Sequence, residues 1–150
     1  GLGDVYKRQA PQSPNTITPF SLPEKSSPLA PLILLAEDNE ENIATFTAYL
    51  NAYEYRVILA KNGEEALVMV KAYRPDVILM DIQMPVMDGL EAMQLIRSDP
   101  QFSAIPIIAL TARAMEGDQE TCISAGANQY LSKPVELEQL VGMIGQFLEM

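Results

Sequence analysis

Glu37, Asp38, Asp81, Thr111 and Lys133 stand at, or just past, the ends of four short runs rich in apolar residues: Leu32–Ala36, Val77–Met80, Ile105–Leu110 and Asn128–Leu131. Carboxylates held close together repel one another unless a cation neutralises them. With oxygen ligands alone, the natural occupant is a hard divalent ion. Mg2+ fits best, held by one or two carboxylates together with water and a substrate phosphate. One of the carboxylates beside such an ion can attack phosphorus and become an aspartyl phosphate. The ion would clamp some phosphoryl oxygens, while the Lys133 ammonium and the Thr111 hydroxyl contact the others. Taken singly, each of these residues is an ordinary solvated loop group. Their joint placement at the ends of four separate runs is what points to a site.

Composition narrows the chemistry further. The 150 residues contain no histidine, which removes histidine general bases, histidine metal ligands, Ser-His-Asp triads and any internal phosphohistidine. The single cysteine, Cys122, allows neither an intrachain disulfide nor a cysteine zinc site. The net charge of −10 argues against this domain gripping nucleic acid or an anionic membrane, and favours cations and basic partner surfaces. No apolar run approaches the roughly 18–20 residues of a membrane span, and the N-terminal residues show no signal-peptide pattern.

The elements that must position these groups are legible from periodicity. Each apolar run is of buried-strand length, and Tyr55–Ala60 adds another rich in β-formers. Between them lie amphipathic stretches. One is capped by Asn39 and runs through Tyr53; a second covers Asn62–Tyr73, with Ala66, Leu67, Val70 and Tyr73 on one face. The others are about Asp88–Arg97, Ala114–Ala125 (stopped by Gly126) and Val135–Leu148. Five strands alternating with five helices predict a parallel sheet covered on both faces. Sites in such sheets form beyond the carboxyl ends of the strands, which is where the polar groups fall.

Six of the 11 prolines lie in residues 1–31, among Ser, Thr and Gln without helical or strand period. That segment reads as an extended linker or tail, and residues 1–9 (GLGDVYKRQ) match nothing that follows and are read as foreign. It carries a net charge of +1, so the folded part, residues 32–150, carries −11.

Four blocks carry a resemblance: Leu34-Leu-Ala-Glu-Asp-Asn39, Asp81-Ile-Gln-Met-Pro-Val-Met-Asp-Gly89, Ala109-Leu-Thr-Ala112 and Leu131-Ser-Lys-Pro134. In this order they resemble the signature blocks of response-regulator receiver domains, over residues 32–150. The resemblance implies a flavodoxin-like α/β three-layer sandwich, with a five-stranded parallel sheet of order 2-1-3-4-5 and five helices. It implies a phosphoacceptor domain of a two-component or phosphorelay system, taking a phosphoryl group from a partner phosphohistidine onto Asp81 and switching partner binding. Glu37, Asp38, Asp81 and the backbone carbonyl of Gln83 match the Mg2+ ligands. Thr111 and Lys133 match the phosphoryl-contacting pair, and Thr111 and Tyr130 the switch pair. Gln83 and Arg113 match positions that tune the lifetime of the phosphoryl group. Lys133-Pro134 matches a bond usually cis in the family.

Implied partners are a histidine kinase or His-phosphotransfer protein and an unidentified downstream protein, with no nucleic acid or membrane contact by this domain. The implied location is cytoplasmic, free or tethered to a membrane-bound sensor outside this chain. Such a domain is not a conventional enzyme alone, although it catalyses its own phosphorylation and dephosphorylation. No output module is expected within the chain, and the proline-rich lead suits the C-terminal receiver of a hybrid sensor kinase; a single-domain regulator with a tail is the alternative. From other classes, a Mg2+-dependent phosphohydrolase would carry Asp rather than Gln at position 83, and a phosphorylation-independent binding module would ignore Asp81→Asn. The methionines read as core filler, Gly89 and Gly126 as a turn and a helix stop, and Cys122 as an inert buried thiol.

Overall fold

The structure is a computed structural model that describes residues 30–112 and 117–149. Along the chain run β1 (Leu32–Ala36), α1 (Glu40–Ala52), β2 (Arg56–Ala60), α2 (Gly63–Tyr73), β3 (Val77–Asp81), α3 (Gly89–Ser98), β4 (Ile107–Thr111), α4 (Asp118–Ala125), β5 (Gln129–Ser132) and α5 (Leu137–Leu148). All pairings are parallel and the sheet order is β2-β1-β3-β4-β5. The chain is already tied to β2 before β1 begins, since Arg56 donates to the carbonyls of Ala30 and Pro31 at 2.9 Å each.

Alternation along the strands divides the core into two layers. Leu34, Ala36, Ile78, Met80, Ile107 and Ala109 meet Ala66 and Val70 of α2, Met93 and Ile96 of α3, and Cys122 of α4. Ile33, Leu35, Leu79, Ile108 and Leu110 meet Phe46 and Leu50 of α1 and Leu140 and Ile144 of α5. With helices on both faces, continuous apolar runs are what these strands require.

Three helices start on a side-chain cap: Asn39, Asn62 and Asp88 each accept from the backbone N–H three residues on, at 2.8–2.9 Å. Each cap stands in a loop that leaves the carboxyl edge of the sheet.

Several boundaries differ from the sequence reading. β4 begins at Ile107 rather than Ile105, because Pro106 has no N–H to give a ladder. β5 is shifted by one residue to Gln129–Ser132, and α5 begins at Leu137, after Glu136 in an extended conformation. α4 is described from Asp118; the expected start at Ala114 lies outside the described residues. Tyr73, placed on the buried face of α2, is 50% exposed, since the helix ends there and Arg74 turns left-handed. Gly126 stops α4 as expected, with φ +126°.

Cys122 has no exposed surface, and burial, then the Asp118 carboxylate, pushes its thiol above the ordinary 9.0. Because the thiolate is the reactive form, iodoacetamide is expected to leave the native protein unmodified at neutral pH and to alkylate it once unfolded. Intact mass reads the difference.

Candidate active site at the carboxyl edge of the sheet

β1 delivers Glu37 and Asp38, the first two residues past its last ladder position. Glu37 is fully buried, its N–H donating to Ala60 O at 2.9 Å, while Asp38 is exposed. Asn39 N–H donates to Glu37 Oε2 at 3.2 Å. Asp81 ends β3, 3% exposed, and accepts from Gln83 N–H at 3.0 Å through Oδ1. Thr111 ends β4 and is buried; its carbonyl accepts from Lys133 N–H at 2.7 Å, which seats the residue after β5 beside β4. Lys133 precedes Pro134 through a cis peptide bond.

From there the Lys133 ammonium donates to Asp81 Oδ2 at 2.8 Å and to Glu37 Oε1 at 3.1 Å. Carboxylate oxygens of Glu37, Asp38 and Asp81 all lie within 4.8 Å of one another. Residues 37, 38, 81, 111 and 133, separated widely in sequence, thus meet at one edge. Tyr130, on β5, packs half-buried against the layer that holds α4; burial, followed by the Asp118 carboxylate, raises its phenol above 10.0. Gln83 is exposed in the loop after β3, and Arg113 lies outside the described residues.

The electrostatics follow from three carboxylates around one ammonium. Burial, then the Asp81 charge, raises the Glu37 pKa above 4.5, and Lys133 only partly offsets them. For Lys133 burial works downward, but the hydrogen bonds to Asp81 and Glu37 outweigh it and hold the ammonium above 10.5. The cluster keeps an excess of negative charge that its one cation does not neutralise. An all-oxygen donor set of this kind suits Mg2+.

Two glycines support the site: Gly89, read from the sequence as a turn, and Gly63, which the sequence did not single out. Gly89 N–H donates to Ile82 O at 3.1 Å, and a Cβ at Gly89 would run into the Asp81 carbonyl oxygen and lie 2.7 Å from Ile82 Cα. Gly63 N–H donates to Met87 O at 2.8 Å, where a Cβ would stand 2.5 Å from the same oxygen. Both glycines let backbones close the Ile82–Gly89 loop tightly over the end of β3. The Asp88-Gly89 pair is the signal for one; the other answers a through-space contact that no local pattern marks.

The response regulator receiver domain family model matches residues 33–145. The polar-differentiation response regulator DivK of Brucella anthropi is 40% identical over 116 residues, covering 77% of this chain and 94% of its own. Among solved structures, the receiver domain of sensor histidine kinase PA1611 from Pseudomonas aeruginosa, with a magnesium ion coordinated in its active site cleft, is 40% identical with a TM-score of 0.76, over 81% of this chain and 99% of that one. The receiver domain of Saccharomyces cerevisiae Ssk1, solved with the histidine phosphotransfer protein Ypd1, is 33% identical with a TM-score of 0.74, over 79% and 88%. The sheet order, the acidic cluster at its carboxyl edge and the span of the match agree: the chain belongs to the response-regulator receiver domains of two-component and phosphorelay signalling.

Proposed function

We propose that Asp81 is the phosphoacceptor. The observation that carries this is the Lys133 ammonium, 2.8 Å from Asp81 Oδ2 and 3.1 Å from Glu37 Oε1, at the mouth where exposed Asp38 stands. An Asp81 oxygen forms its bond to phosphorus as the bond from phosphorus to the donor imidazole nitrogen breaks, and the proton needed goes to that imidazole. Lys133 then donates a charge-assisted hydrogen bond to a phosphoryl oxygen, and the Thr111 hydroxyl donates another. Glu37, Asp38, Asp81 and the Gln83 carbonyl hold Mg2+, which when bound neutralises charge developing on the phosphoryl oxygens. Gln83 and Arg113 tune how long the phosphoryl group stays. The donor is a histidine kinase or His-phosphotransfer protein and the setting cytoplasmic, with residues 1–31 as the tether and 32–150 as the domain. No helix among the described residues is long and apolar enough to cross a membrane.

Incubation of the full chain with Mg2+ and acetyl phosphate is expected to add one phosphoryl group by intact mass, and phosphorylated Ypd1 serves as the protein donor. Failure of both to label the chain overturns the reading. Asp38→Ala is expected to weaken Mg2+ binding at least about tenfold, the low end of what even outer supports of a metal site supply, and to slow labelling in step. Unchanged Mg2+ affinity by calorimetry refutes the ligand assignment.

The output follows from the charge added. A phosphoryl group brings about −1.5 to −2 charge beside Thr111 and Lys133. Thr111 turning toward it vacates space next to β4, into which the Tyr130 ring rotates, altering the surface of α4, β5 and α5. Beryllofluoride is expected to move the amide resonances of residues 129–132 along with those around Asp81. A response confined to the neighbourhood of Asp81 refutes the switch.

A further inference from the structure

Between the C-terminal halves of α2 and α3 lies a groove of about 400 Å³, within the range of small-ligand sites. Leu67, Val70 and Lys71 of α2 line it, with Leu95 of α3 and Asp99 and Phe102 of the turn that follows. Its floor belongs to the core, since Val70 and Phe102 are buried, while Leu95 on its wall is 43% exposed. The turn is pinned in place. Phe102 N–H donates to Asp99 O at 3.0 Å, and Arg74 Nη2 donates to Gln101 Oε1 at 2.9 Å. The same guanidinium lies 5.2 Å from the Phe102 ring centroid. An occupant therefore meets a groove that is already formed.

The chain enters the fold at the same end. With all strands parallel, each helix runs back across the sheet, so α2 and α3 finish at its amino edge. Just past α2, Asp76 N–H donates to Leu32 O at 2.7 Å, and Leu32 N–H donates to Asp76 Oδ2 at 2.8 Å. Leu32, Val70 and Phe102 share one core layer. Ala30, held by Arg56, thus delivers residues 10–29 to the edge where the groove lies.

Those residues match the groove in chemistry. Phe20 and Leu22 are large and apolar and stand between Pro19 and Pro23, whose fixed φ leaves less freedom to lose on docking. Glu24 and Lys25, the only charges in residues 10–29, answer Lys71 and Asp99 in sign. From Leu22 to Ala30 a polyproline conformation reaches about 25 Å, further than the length of α2, about 17 Å.

We propose that the α2–α3 groove is the docking site of this chain's own proline-rich lead, with Phe20 and Leu22 in the groove and Glu24-Lys25 across its charged rim. Docked there, the lead is held at the edge opposite the acceptor, clear of the cleft. A second copy is the poorer occupant, because each folded domain carries −11 and the two repel. The tethered segment is supplied at a local concentration of order millimolar.

The test compares amide resonances of the full chain with those of Phe20→Ser/Leu22→Ser, whose changes lie outside residues 30–149. Shifts are expected at residues 67–71 and 95–102. About tenfold dilution leaves them as they were, because docking within one chain does not depend on concentration. A peptide of residues 16–29, added to the variant at about the millimolar concentration that a tether supplies, moves the same resonances back toward their wild-type positions. Identical spectra at residues 67–71 and 95–102, or differences confined to other surfaces, overturn the proposal, as does a peptide that leaves those resonances in place. Differences that fade on dilution assign the groove to a second copy and overturn it as well.

Discussion

Asp81→Asn takes up no phosphoryl group from acetyl phosphate in the presence of Mg2+, while the domain stays folded. The carboxamide is the same size, and its oxygen still accepts from Gln83 N–H where Oδ1 does now, at 3.0 Å. What it loses is the nucleophilic oxygen pair and one of two anionic partners of Lys133. The stability cost is small, because removing one carboxylate from three also relieves the Asp81 repulsion that adds to burial in raising the Glu37 pKa. Glu37 keeps its hydrogen bond from Lys133 at 3.1 Å. Intact mass and thermal unfolding, taken together, check the expectation. The same mass increase on the Asn variant would move the acceptor elsewhere, with Asp38 the first place to look.

How far the sequence reaches is clearest in that same cluster. Glu37 and Asp38 read as an equivalent acidic pair after an apolar run, yet one is fully buried and the other exposed. Both stand past the last ladder position of β1 and both carboxylates reach the same cluster, so only the folded sheet tells which of the two it covers. The strand runs, three helix caps and the polar strand ends were legible because each is a local pattern of period or capping. The order 2-1-3-4-5 rested on family resemblance, since parallel pairing leaves no mark in periodicity. The bridge from Lys133 to Glu37 spans 96 residues, and no spacing rule reaches that far. The left-handed Val86 after Pro85 was invisible for a different reason: nothing in Met-Pro-Val-Met announces it, and the turn is imposed by hydrogen bonds from Gly63 and Gly89.

Arg97→Ala is expected to cost the fold about 2–3 kcal/mol although the residue lies far from the acceptor in sequence and makes no ion pair among the described residues. Its guanidinium reaches Gly126 O through Nε at 2.9 Å, Ser103 O and Ile105 O through Nη1 at 2.8 Å each, and Asn128 Oδ1 through Nη2 at 2.7 Å. That Asn128 oxygen also accepts from Ile107 N–H at 2.8 Å, so one side chain ties the end of α3 to the entries of β4 and β5. Burial lowers its pKa, but a guanidinium remains charged throughout the usual pH range. Hydrogen bonds from a charged donor contribute about 1.5–3 kcal/mol each when buried, and those at the solvent boundary count for much less; two of the four are part-buried. The fit is close on the other side as well, since a Cβ at Gly126 would stand 2.5 Å from Arg97 Cγ. Lysine keeps the charge without the planar fork, and one ammonium cannot serve acceptors on separate segments, so Arg97→Lys recovers less than half of the loss. Chemical denaturation gives the magnitude, and hydrogen exchange places it. Protection should fall first at residues 126–132, the connection from α4 and the β5 strand that carries Tyr130 toward Lys133. A loss below about 1 kcal/mol, the range of an ordinary surface pair, would mean that the β4 and β5 ladders hold these segments without the arginine.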